Sequence, residues 1–87
     1  MDKKTKTPKV TTQILVADRG FVWVGKVTRE KDYHRIDNCR NIRKWGTEKG
    51  LGQLKDGPLS NTVLDDCGTV LVPHHAVIAL IVCSRDW

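Results

Sequence analysis

The sequence predicts a mainly β protein: a small antiparallel barrel of about five short strands, with a long glycine-rich loop and a disordered basic arm at its start. Three observations carry this expectation. Short runs rich in β-branched and aromatic residues recur along the chain, each bounded by turn residues. No stretch carries the apolar periodicity of a three-turn amphipathic helix. The chain has 87 residues, enough for one small domain.

Met1 to Lys9 is polar, lysine-rich and broken by Pro8, and reads as a disordered arm preceding a single domain over residues 10–87. Thr11 to Ala17, TTQILVA, is the first strand, and Asp18-Arg19-Gly20 is a turn. Phe21 to Arg29, FVWVGKVTR, is the second. Gly25 in its middle marks a bend or a close backbone approach, of the kind a small barrel needs to close. Trp23, inside this apolar strand, reads as core.

Glu30-Lys31-Asp32 is the next turn. From Tyr33 to Asp37 the chain alternates, with Tyr33 and Arg35 on one face and His34 and Ile36 on the other, and Asp37-Asn38 turns again. Cys39 to Trp45 is open between a helical turn and an irregular strand, because Cys39, Ile42 and Trp45 are spaced by three. Gly46 to Pro58 is a long loop containing four glycines, with a short helical turn at Leu51 to Leu54. Thr62 to Leu64 resumes β character, Asp65-Asp66 suits an acidic turn, and Val70 to Val72 is a further strand. Pro73 to His75 breaks it, and Ala76 to Cys83 forms the last. So continuous an apolar strand is expected to be buried on both faces or to lie between subunits.

The composition is that of an ordinary soluble protein, with 39% apolar and 29% charged residues. The longest apolar run, Ala76 to Val82, is far short of the roughly twenty residues of a membrane helix. No apolar segment follows the basic start, so a secretory signal is not expected and a cytoplasmic location is. Three unpaired cysteines, Cys39, Cys67 and Cys83, fit buried reduced thiols better than a disulfide framework. Cys67, His74, His75 and Cys83 match no zinc spacing, so no metal or other cofactor is expected.

The net charge is +5, unevenly spread. The arm holds four lysines against Asp2. Within the domain, Arg35, Arg40, Arg43, Lys44 and Lys49 face only Asp37 and Glu48, whereas residues 56–87 are acidic. A basic stretch with a basic arm attracts phosphate, in nucleic acid, in a nucleotide or on an acidic partner. Arg40, Arg43 and Lys44 interleave with Trp45 and lie near Tyr33, a combination suited to stacked bases and phosphates. Trp45 equally suits a barrel plug. The glycine loop reads either as an anion nest helped by Lys44, Lys49 and Lys55 or as a plain surface loop. The phosphate-loop pattern of nucleoside triphosphatases is absent. No nucleophile with an adjacent base and no nucleophile elbow is present, so the chain is expected not to be an enzyme.

Two segments resemble the Sm-like family, the barrels of LSm proteins and of the bacterial RNA chaperone Hfq. Val22 to Asn38, VWVGKVTREKDYHRIDN, is similar to the first Sm motif: a strand with a central glycine, Gly25, a turn with an aspartate, Asp32, and a strand ending in asparagine, Asn38. Val72 to Val82, VPHHAVIALIV, resembles the second, with His75-Ala76 where that family has His-Ala. The resemblance implies a nucleotide pocket lined by the turn and its neighbours, with His74 or His75 at it, and a last strand that pairs with the next subunit. The Gly25 to Asp32 interval is one residue longer than in that family and the N-terminal helix is replaced by the arm, which leaves a generic SH3-like barrel as the other assignment. The whole chain also resembles small proteins of tailed bacteriophages, in FVWVGKVTRE, NIRKWG and HAVIALI.

The expected function is therefore a non-enzymatic binding module, phage-encoded and homo-oligomeric. It holds single-stranded RNA or a small nucleotide through Tyr33, Arg35, Arg40, Arg43, Lys44, Trp45, Lys49, His74 and His75. The alternative is a phage counter-defence protein that sequesters an immune nucleotide signal or blocks a host defence protein by direct contact.

Overall fold

The computed structural model describes residues 11–87; the basic arm lies outside them. Five strands form one antiparallel sheet in the order β4-β3-β2-β1-β5. They are β1 (Thr11–Ala17), β2 (Val22–Arg29), β3 (Tyr33–Lys44), β4 (Val63–Pro73) and β5 (Val77–Val82). Short 3-10 turns occupy Asp18–Gly20, Leu51–Asp56 and His74–Ala76. Among the described residues no helix is long and apolar enough to cross a membrane.

The sheet buries both of its faces in different places, which is why β1 carries no polar alternation. Leu15 and Ala17 join Val27, Ile36, Cys39 and Val72 in one core. Ile14, one residue along and so on the other face, joins Val22, Val24, Ile42 and Leu54 in a second. Leu54 comes from the 3-10 turn of the glycine-rich loop, so this loop lids the second core.

Several expectations need correction. Asp37-Asn38 is not a turn: β3 runs through it for twelve residues as a bulged strand. Asn38 takes a left-handed backbone (φ 51°) and the pairing register shifts there, so the strand does not end at that asparagine. Cys39 to Lys44 is strand, not helix, and Trp45 follows its end. Cys39 and Ile42 are spaced by three because they serve opposite cores. Asp65-Asp66 is likewise not a turn. β4 is continuous, with Asp65 opposite Asn41 and Asp66 opposite Arg40. Asp65 gains an ion pair with Arg43 across the strands, which a turn would not give it.

Trp23 packs against the first core but is only half-buried, and it stacks on exposed Phe21 with ring centroids 5.4 Å apart. Of the three thiols only Cys39 is fully buried; Cys67 is exposed and Cys83 lies between. Burial foremost, then the neighbouring Cys67 thiol, pushes Cys39 up to about 12. β5 starts at Val77 because Ala76 completes the preceding 3-10 turn. It is not buried within the chain: Ile78 and Val82 are 67% and 65% exposed.

The segment after β5 folds back along the glycine-rich loop. Ser84 donates its backbone N–H to the Lys55 carbonyl at 2.8 Å and its hydroxyl to Asp56 at 2.7 Å. Arg85 donates to the Asp56 carbonyl at 2.8 Å. The Ser84 hydroxyl, followed by Lys55, holds the Asp56 carboxyl below its ordinary value. These contacts bring Asp86 and Trp87 onto the sheet.

Candidate functional site

A groove of about 620 Å³ opens beside the register shifts of β2, β3 and β4. Three neighbouring strands depart from regular backbone at this level. In β2, Gly25 lies so close to β3 that an added Cβ would sit 2.7 Å from the Asp37 carbonyl oxygen and 2.7 Å from Ile36 Cγ2. In β3, Asn38 carries the bulge. In β4, Gly68 takes φ 74° beside a second register shift. Glycine supplies both the close approach and the left-handed turn without a side chain to fill the space.

Onto this floor project Lys26 from β2, Arg40 from β3 and Asp66 from β4, with Thr12 from β1 at one side. Asp86 and Trp87 form the remaining wall. Lys26 and Asp86 are ion-paired at 2.6 Å, and the Thr12 hydroxyl donates to the same carboxylate at 2.6 Å. Arg40 differs from the other arginines of its strand. Arg35 is engaged by Asp37 at 3.0 Å, and Arg43 by both oxygens of Asp65 at 2.8 and 3.4 Å. Arg40, half-buried, has no ion pair among the described residues, although Asp66 lies opposite it in the ladder. A guanidinium partly stripped of water and lacking an anion is poised to take one, in a two-pronged contact that a phosphate or carboxylate fits.

The nine residues expected to bind ligand do not form one site. Arg40 alone of them lines the groove. Tyr33 and Arg35 lie on the far side of the β3 bulge, opposite Pro73 and Leu71. Arg43 and Lys44 lie at the other end of β3, followed by exposed Trp45. The Trp45 carbonyl accepts from the Thr62 hydroxyl at 2.7 Å, and its ring, 42% exposed, plugs no core. Lys49 is exposed in the glycine-rich loop, where Gln53 Oε1 accepts the backbone N–H of both Glu48 and Lys49 at 3.0 Å. Two donors that an anion nest would need are thus already used. His74 packs on His34, and His75 is exposed beside it.

Lys26, Asp66, Asp86 and Trp87 were not singled out as binding residues by the sequence. Gly25 and Asn38 stood out as motif positions, not as binding residues, and they line the groove. Trp87 carried no local signal, since tertiary contacts place it: Ser84 and Arg85 on Asp56, Asp86 on Thr12 and Lys26, and its own packing against the second core. Among the described residues no three or more His, Cys, Asp or Glu side chains gather as metal ligands would. No protein-family model, curated protein or solved structure matches the chain.

Proposed function

We infer that the chain is a non-enzymatic binding module of SH3/Sm-like build, and that the groove beside the strand bulges holds a phosphate-bearing ligand. The observation that carries this reading is Arg40: half-buried, lining a groove of about 620 Å³, and without a carboxylate partner among the described residues. The groove is mixed in charge, with Arg40 and Lys26 against Asp66 and Asp86. That balance favours a small nucleotide, or one nucleotide of a single strand, over a bare polyanion. The cations take the phosphate, the carboxylates accept from base N–H or ribose hydroxyl groups, and the Trp87 indole offers a surface for stacking.

The same reading includes association of identical chains. Among the described residues β4 and β5 are the two edges of the sheet, and each pairs with one neighbour. β5 bears exposed Ile78, Leu80 and Val82, and β4 exposed Leu71. An apolar unpaired edge invites another strand, and the edge of a second copy supplies one.

The test is binding of a fluorescent oligouridylate and of a fluorescent adenine nucleotide across a salt series. Arg40→Glu is expected to weaken at least one of the two by about tenfold or more and to reduce its salt dependence. Arg43→Glu, whose charge is already balanced by Asp65, is expected to change it less. Unaltered binding of both probes by Arg40→Glu would remove the groove from the account.

A further inference from the structure

The basis of a second feature is a pair of histidines on the other side of the bulge. His34, on β3, is 5% exposed. His74, in the 3-10 turn between β4 and β5, meets it edge to face, with Nδ1 atoms 2.9 Å apart. His74 Nε2 lies 2.8 Å from the Glu30 carbonyl oxygen and 3.0 Å from that of Lys31. Carbonyl oxygens only accept, so Nε2 carries a hydrogen. In the neutral pair the His74 Nδ1 is then bare, and the single hydrogen between the rings belongs to His34 Nδ1.

Counting protons gives the consequence. One added proton is tolerated: His74 donates from both nitrogens, and His34 shifts its own hydrogen to Nε2. A second is not, because two N–H groups would then point at each other across 2.9 Å. We propose that His34 and His74 form a proton-counting latch that ties the β2–β3 turn to the turn leading into β5, and that acid opens it.

The charged and titratable groups on the packed elements are Arg29 on β2, Glu30, Lys31 and Asp32 in the turn, Tyr33 and Arg35 on β3, and His75 beside His74. β4 contributes only Val72 and Pro73 here, opposite His34 and Tyr33. Burial foremost, then His74 and Arg29, holds His34 below the ordinary value of 6.5. The fold thus favours neutral His34. Its contribution is complete above about pH 6.5, where the unfolded ring is also neutral. It is lost as the pH falls below that value toward the depressed folded one.

The test uses the ¹⁵N-labelled full chain between pH 8 and pH 4.5. Imidazole ¹⁵N spectra are expected to show His74 protonated at Nε2 and His34 at Nδ1 at the upper end. Glu30 donates its amide to the Tyr33 carbonyl and Val77 donates to that of His74, so their exchange reports the two tied turns. Their protection, corrected for intrinsic exchange, should fall by about tenfold or more on acidification. In His74→Gln, whose amide keeps a donor for the turn carbonyls, that pH dependence should vanish. Rings that share one tautomer and titrate independently would overturn the proposal. So would protection that is flat with pH in the wild type. The tautomer result decides the matter even if the variant does not fold.

Discussion

Gly25→Ala is expected to cost about 3 kcal/mol, far more than the same change at Gly68. The backbone at Gly25 needs no left-handed conformation, so the cost is steric. The new methyl would stand 2.7 Å from a β3 carbonyl oxygen and from buried Ile36, and the backbone can only give by parting β2 from β3. At Gly68 the situation is reversed. Its φ of 74° strains any other residue, but nothing lies within 4 Å of the added Cβ, so the cost is the conformational one of about 1–2 kcal/mol. Thermal unfolding followed by circular dichroism distinguishes the two. For a domain of this size, Gly25→Ala should lower the midpoint by roughly 10–25 °C and Gly68→Ala by clearly less. Equal losses would mean that the close approach of β2 and β3 at Gly25 carries no steric constraint.

The second large effect is expected at Leu54. This side chain is fully buried, yet it belongs to a loop of glycines and polar residues that would ordinarily tolerate change. It packs in one core with Ile14, Val22, Val24 and Ile42. Leu54→Ala should therefore cost about 2–5 kcal/mol, the lost transfer energy plus that of the cavity left beneath the loop. Leu59, in the same connection but 37% exposed, should change stability by no more than about 0.5 kcal/mol when truncated. Denaturant unfolding of both variants checks the pair. If Leu54→Ala were as mild as Leu59→Ala, the loop would not be a lid on the core. The expected loss would also reach the groove, because the loop anchors Ser84 and Arg85, and through them Asp86 and Trp87.

These two sites show what the sequence could and could not convey. Strand identity is local: TTQILVA begins and ends where β1 does, and Leu51 stood out in advance as the start of a helical turn. Gly25 was legible as a bend or a close backbone approach, and the close approach is what it makes. Bulges were not legible. Asp37-Asn38 looks like a turn, since asparagine, which adopts left-handed backbone in a bulge, also adopts it in a turn. What separates the two is the partner strand, which local sequence does not name. The candidate site suffered from the same limit. Clustering of Arg35, Arg40, Arg43, Lys44 and Lys49 in sequence suggested one basic surface. A twelve-residue strand with a bulge instead spreads them along its length, and Asp37 and Asp65 neutralise two of them. Arg40 lines the groove for a tertiary reason, opposite Asp66 in the ladder and with no ion pair among the described residues.

Native mass spectrometry of the purified full chain, compared with its denatured mass, tests the central claim most directly. The account predicts an assembly of more than one chain that carries, or takes up when offered, a nucleotide or short RNA, and releases it on denaturation. A single chain that carries nothing and acquires neither adenine nucleotide nor oligouridylate would contradict it.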